Sequence, residues 1–198
     1  MENYHSESIP DPLLFPEGKP GSIRHLILDA LETILLSLVL FLGINAISAR
    51  IRIESISMLP TLRAGDFVIV NKIAYRLGSP ERGDVIIFHY PPDPDREPYI
   101  KRVIGLPGDR VQVHEGKVFI NEHALSEPYI SADPMYEGTW AIPEGSLFVL
   151  GDNRNSSSDS HQWGMVPLEN VIGKAEVVYW PPTEWKLLNQ DTAFAAEP

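Results

Sequence analysis

From Thr33 to Ala49 this chain runs for 17 residues without a charged side chain. Coiled as an α-helix, that run is roughly 25 Å long. The hydrocarbon core of a bilayer needs about 30 Å. Extending the helix back over Leu26–Glu32 supplies the missing length and leaves Asp29 and Glu32 near an interface, while Arg50 and Arg52 close the other end. The apolar residues go all the way round, so no amphipathic stripe marks a surface helix. Three readings fit: a single membrane anchor, a cleaved signal peptide and a buried core helix. The second draws on "AIS" at Ala46–Ser48, a small-x-small site after an apolar stretch, but the 32 residues before the run are long and acidic where such a leader is short and basic. Lys19 and Arg24 on one side stand against Arg50 and Arg52 on the other, so the count of flanking cations gives no orientation.

After Arg52 the pattern changes to short β-branched and aromatic runs bounded by Gly, Pro, Asp and Asn: "DFVIVNKI", "DVIIFHY", "YIKRVIG", "SLFVLGD", "VIGKAEVVYW". In "RVQVHEGKVFIN" the alternating pairs Val111/Val113 and Val118/Ile120 flank Glu115-Gly116, which predicts a hairpin. "HYPPDPDREP" and residues 122–144 read as loops. The organisation expected is a flexible tail over 1–25, a transmembrane helix over 26–50, a mostly β domain over 51–185 and a C-terminal tail over 186–198.

Whole classes of function drop out on composition. A net charge of −11 argues against a sequence-independent nucleic-acid binder, which needs a basic surface, and gives no general attraction to anionic lipid. With no cysteine there is no disulfide scaffold, thiol catalysis or cysteine-ligated zinc. The six histidines are scattered, His114-Glu115 never completes a zinc pattern, and no metal or cofactor is expected.

Three polar clusters stand out among the apolar strands: Ser55 and Ser57 in "ESISMLPTL", Lys101 in "YIKRVIGLPGDRV", and "GDNRNSSSDSHQWG" at 151–164. Strand alternation sets Lys101 and Arg102 on opposite faces, so one of them is expected inward. A lysine acting as general base must fall from a pKa of about 10.4 to about 7, roughly 4–5 kcal/mol of disfavoured charge, and burial among apolar groups can supply this. The plainer reading makes both residues solvated edge charges that discourage sheet aggregation. The third cluster, taken alone, reads as a long turn held by Asx and Ser bonds to its own backbone.

Taken in order, "SISMLPTL", "RGDVIIFHYP", "YIKRVIGLPGD" and "GDNRNSSSDSHQWG" resemble the boxes of type I signal peptidase, the membrane-bound Ser-Lys protease family. The resemblance implies a signal-peptidase-like β domain behind a single N-terminal transmembrane helix. It implies Ser57 as nucleophile and Lys101 as general base. Ser55 would help form the oxyanion hole, Ser157 would orient the lysine amine, and Asp159, Asp152 and Asn153 would support that loop. Ile53, Met58, Leu62, Tyr99 and Ile100 fall where the family lines shallow pockets for small residues, as in Ala-x-Ala. The implied partners are signal peptides of exported preproteins and membrane lipid. The implied location is the cell (inner or plasma) membrane, single-pass, with the N-terminus cytoplasmic and the catalytic domain beyond the membrane; a thylakoid membrane is the alternative. This chain departs from the family pattern at His161, where many members carry Arg, at Glu54, where a small or apolar residue is common, and over Ser131–Glu144, which matches no box. A self-cleaving Ser-Lys peptidase and a tethered module that binds peptides without cutting them are the competing readings.

Overall fold

The computed structural model describes residues 23–188 and 193–194. Of the two expected tails, residues 1–22, 189–192 and 195–198 lie outside the described residues. The chain divides into two compact units after Gly43.

The apolar run forms one helix, α1, Ile23–Ile47, of 25 residues. At 1.5 Å per residue it is roughly 37 Å long, more than a bilayer core requires. Its mean hydropathy reaches 2.2 over an 18-residue window. None of its residues is buried, which removes the core-helix reading. The helix spans Ile23–Ile47 rather than 26–50. Its end is set by Ser48 and Ala49, which leave the helical path to pair with Asn71 and Val70.

The β body begins there. Its first half holds β1 (Ser48–Arg52), β2 (Phe67–Asn71), the single-turn α2 (Ala74–Leu77), β3 (Val85–Phe88), β4 (Tyr99–Gly105), β5 (Arg110–His114) and β6 (Lys117–Ile120). Its second half holds β7 (His123–Ser126), β8 (Gly138–Ala141), β9 (Ser146–Leu150), α3 (Ser160–Trp163), β10 (Val166–Pro167), β11 (Val171–Trp180), β12 (Lys186–Leu187) and β13 (Ala193–Phe194). One sheet runs β1-β2-β11-β3-β4-β9-β10, with β12 also on β11; the other runs β13-β7-β6-β5-β8. The body therefore starts before residue 51 and continues past 185: β12 pairs with β11, and Leu188 is buried in a core cluster.

The Glu115-Gly116 hairpin forms as expected. Both turn residues have positive φ, 50° and 73°, the type I′ geometry that matches strand twist. The segment 122–144 is not all loop, since β7 and β8 lie within it. The turn into β7 is Asn121-Glu122, again with positive φ at both residues, but without the glycine that advertises such a turn.

β3 and β4 sit inside the larger sheet and explain how the site is built. Val85 and Ile87 enter one core cluster, Ile86 and Phe88 another. A strand covered on both faces reads as a continuous apolar run, as "VIIF" does. β4 lies between β3 and β9. From Ile100 onward every side chain of β4, polar ones included, is buried, whichever face it takes.

Candidate active site

Two such side chains occur side by side. Lys101 is 4% exposed and Arg102 2%. Alternation required only one cation inside; the central place of β4 puts both there, and the edge-charge reading fails. They are treated differently. Arg102 receives an acid: its Nε and Nη2 donate to Asp152 Oδ1 and Oδ2 at 2.8 and 2.7 Å, a bidentate charge-assisted pair. Lys101 has no salt-bridged carboxylate among the described residues. Its Nζ stands 2.8 Å from Ser57 Oγ and 2.9 Å from the Ile100 carbonyl oxygen.

Burial pulls the Lys101 amine down from its ordinary 10.5 to about 8, against the pull of Asp159 and Asp152, whose charges favour the ammonium. Loss of hydration penalises the cation, and no ion pair repays it. An amine with that pKa is about one-tenth neutral at pH 7 and about half neutral at pH 8.

Ser57 is held by its neighbours on both sides. The loop that carries it is closed at its base by paired backbone bonds, Ile53 N–H to Asp66 O and Gly65 N–H to Ile53 O, both 2.8 Å. Met58 and Leu62 are wholly buried in the same cluster as Ile53 and Ile100, and they root the loop. Ser55 is exposed, with Oγ 3.2 Å from Ser57 Oγ. The polar loop 151–160 covers the other side. Asn153 donates from its backbone N–H to Ser57 O at 3.0 Å and from Nδ2 to Ile56 O at 3.1 Å. Gly151 lies so close that a Cβ would run into the Ser57 carbonyl and Ser157 Oγ. Only glycine permits that approach.

Asp159, completely buried, organises this loop. Its Oδ2 accepts the Gly151 N–H at 2.9 Å. Its Oδ1 accepts the backbone N–H of His161 and contacts His161 Nδ1 at 2.6 Å. The third cluster is thus both the Asx/Ser turn its composition suggests and a wall of the site. Among the described residues Ser157 Oγ is buried without a hydrogen-bond partner, and the Ile100 carbonyl oxygen takes the second contact of the amine.

The pocket residues divide. Met58 and Leu62 have no exposed surface; Ile53 and Ile100 are buried at 2% and 9%. Tyr99 is half-buried and stacks on Tyr90 with ring centroids 4.6 Å apart.

Sequence reasoning missed the supports contributed by residues 127–136. Glu127 takes a bidentate bond from Arg154, at 2.7 and 2.5 Å. The Tyr129 ring lies under the Arg102 guanidinium at 3.9 Å, and its hydroxyl donates to Glu127. Asn155 accepts from Met135 N–H and donates to Asp133 O. Tyr136 stacks on His161 at 3.9 Å, nearly parallel. Part of the segment that matched no box is therefore lashed to the loop beside Ser57. The only hint in the sequence was "EPY", an acid and an aromatic in an otherwise loop-like stretch.

Among the described residues no cluster of His, Cys, Asp or Glu is grouped to hold a metal. The arrangement is a buried hydroxyl against a buried, poorly hydrated amine, suited to nucleophilic attack with proton abstraction by the amine.

Comparison with known proteins follows the same line. Residues 27–180 match the family described as signal peptidase, peptidase S26. A signal peptidase I from Leptolyngbya laminosa is 50% identical over 163 residues, 78% of this chain and 80% of that protein. The thylakoidal processing peptidase 1 of Arabidopsis thaliana chloroplasts is 40% identical over 142 residues, 67% of this chain and 42% of that one. A crystal structure of a signal peptidase I from Enterococcus faecalis V583 superimposes with TM-score 0.45 at 34% identity, covering 48% of this chain and 95% of the other.

Proposed function

Because this chain belongs to the signal peptidase S26 family, and so is a serine peptidase that removes signal peptides from preproteins, we propose that Ser57 and Lys101 are the pair that performs the cleavage. The observation that carries the assignment is the 2.8 Å contact between Ser57 Oγ and Lys101 Nζ, with both residues buried.

A neutral amine has two N–H donors and one lone pair. It donates to Ile100 O and accepts the Ser57 O–H. As Oγ adds to the carbonyl carbon before the scissile bond, the proton passes to Nζ. The oxyanion that forms is met by the Ser57 backbone N–H and the Ser55 hydroxyl. The ammonium then protonates the departing amine, the C–N bond breaks and the mature chain leaves. Water attacks the remaining ester, giving one proton to Nζ; that proton returns to Oγ as the signal peptide leaves with a new carboxyl group. Asp159, Asp152 and Asn153 hold the loop against which Ser57 rests. Ile53, Ile100 and Tyr99 form the rim that meets the small residues of Ala-x-Ala. Met58 and Leu62, fully buried, act from behind by fixing Ile53 and Ile100.

The coarse location follows from an apolar N-terminal helix of spanning length and from membrane-bound relatives. In finer detail we place the N-terminus in the cytoplasm and the β body beyond the membrane, in the cell membrane or, given the thylakoidal relative, in a thylakoid membrane. Which end a non-permeant protease can digest in intact cells decides this.

The catalytic test has two parts. Ser57→Ala and Lys101→Ala should each remove cleavage of a preprotein while thermal unfolding stays cooperative; normal turnover by either variant ends the assignment. In the wild type, kcat/KM should fall about tenfold per pH unit below about pH 8, where the amine becomes protonated. A profile flat from pH 8 down to pH 5, with chemistry limiting, excludes an amine of that basicity as the base.

A further inference from the structure

The chain is acidic overall, with a net charge of −11, yet residues 44–78 hold five cations and only two carboxylates. The excess lies where the chain leaves α1. Arg50 and Arg52 are exposed on β1, which begins at the residue after the helix. Lys72 follows β2, whose Asn71 pairs with Ser48. The Lys72 backbone N–H donates to Ile47 O at 2.9 Å, and its Nζ reaches Asn45 O at 3.4 Å. Lys72 therefore touches the last turn of the helix itself. Arg76 is one turn further on, in α2, and exposed. Neither Lys72 nor Arg76 forms a salt bridge among the described residues.

These two cations line one cavity of about 330 Å³, with Tyr75, Ser79, Leu168 and Ile172 among its walls and no carboxylate in its lining. The Tyr75 hydroxyl is committed to Asp84, so the ring is what Tyr75 offers. The volume is at the low end of small-ligand sites, which start at about 300 Å³. Two cations without a salt bridge, the Ser79 side chain and apolar residues in one lining suit an anion attached to a hydrocarbon. A cation near a membrane surface attracts anionic lipid by about 1 kcal/mol, within a Debye length. This local arrangement works against the repulsion that the whole chain's charge would produce.

We propose that the cavity between Lys72 and Arg76 binds the phosphate of an anionic phospholipid at the membrane surface from which α1 emerges. The inference rests on reading α1 as a membrane span. It does not depend on the Ser57–Lys101 chemistry, and neither cation belongs to the catalytic machinery. Occupancy would tie the β body to the lipid surface through the segment that follows β2.

The test uses the full chain in mild detergent, titrated with phosphatidylglycerol or phosphatidylcholine and read by native mass spectrometry, with peptide cleavage measured in parallel. The wild type should retain phosphatidylglycerol on the order of tenfold better than phosphatidylcholine. The double variant Lys72→Gln/Arg76→Gln should lose that preference and cleave a soluble peptide normally. Arg76→Lys should keep most of it. A control pair on the β5–β6 hairpin, Arg110→Gln/Lys117→Gln, should leave it unchanged. Equal retention of the two lipids, an undiminished preference in the double variant, or an equal loss in the control pair overturns the proposal. So does stoichiometric displacement of the lipid by millimolar inorganic phosphate, which would make the site one for free anion. Loss of peptide cleavage in the wild type would count against the catalytic reading and leave the lipid result standing.

Discussion

The two halves of one dipeptide, Lys101 and Arg102, lie at equal depth in the same strand and meet opposite electrostatic environments. On the Arg102 side the structure supplies compensation: Asp152 takes the guanidinium in two bonds, Gly83 O accepts a third, and the Tyr129 ring covers its face. A few residues away Arg154 and Glu127 repeat the pattern. On the Lys101 side a hydroxyl and a carbonyl are the only hydrogen-bond partners among the described residues. Arginine stays charged in proteins and suits a fork of carboxylate oxygens, whereas lysine can give up its proton when desolvated. Depth therefore does not decide what a buried cation is for. The partner does: an acid makes it a structural tie, and without one a buried lysine is free to serve as a base.

The contrast can be broken most forcefully from the structural side. Asp152→Asn leaves the Arg102 charge buried with half its partner. Removing one member of a buried pair typically costs about 3–5 kcal/mol, so the midpoint of urea unfolding should drop sharply at pH 7. Replacing both residues together, Arg102→Met with Asp152→Leu, should recover much of that loss, since no unpaired charge remains. A variant Asp152→Asn as stable as the wild type would show that the pair is not the tie described here.

The opposite sign is expected on the catalytic side. With the folded-state pKa near 8 and the ordinary value 10.5, the folded protein holds the Lys101 proton less tightly than the unfolded chain. The cost is fully present below about pH 8 and fades as pH rises toward 10.5. At about 1.36 kcal/mol per pKa unit its ceiling is about 3 kcal/mol. Lys101→Met, nearly isosteric and uncharged, should be inactive yet more stable than the wild type by about 1–3 kcal/mol at pH 7, a trade common at active sites. The gain should shrink when the comparison is repeated at pH 10. Destabilisation at pH 7 would mean that the amine contributes to the fold and the contrast with Arg102 is false.

Much of the fold, though little of this contrast, is legible in the sequence. The apolar helix, the β body and the Glu115-Gly116 hairpin follow from run length, period and turn chemistry. Ser57 and Lys101 came from resemblance, not from physics, because spacing alone fits a solvated edge equally well. What hid the burial of both cations is the place of β4 between β3 and β9, a pairing between residues far apart in sequence. The role of Gly151 was hidden for the same reason: its tolerance matters only because Ser57 comes to lie against it. β7 escaped notice because its turn uses Asn121-Glu122 in place of an Asn-Gly signal. Tyr136 on His161 leaves no pattern at all. A stacked pair 25 residues apart is set by how two loops meet.

The smallest expected effect tests whether the site withholds acid completely or only at contact distance. Asp159 makes no salt bridge with Lys101, yet its charge, with that of Asp152, favours the ammonium and partly offsets the desolvation. Asp159→Asn removes that charge and keeps an oxygen able to accept the Gly151 N–H, so the loop retains its anchor. With the opposing charge gone, the lysine pKa should fall further, and the acidic limb of kcat/KM should move to lower pH by a fraction of a unit. A shift of the loop lowers the maximal rate but does not by itself carry the limb toward acid. Movement of the limb to higher pH would show that Asp159 acts on Lys101 through the position of the loop and not through its charge, and the two faces of β4 would then differ in packing more than in electrostatics.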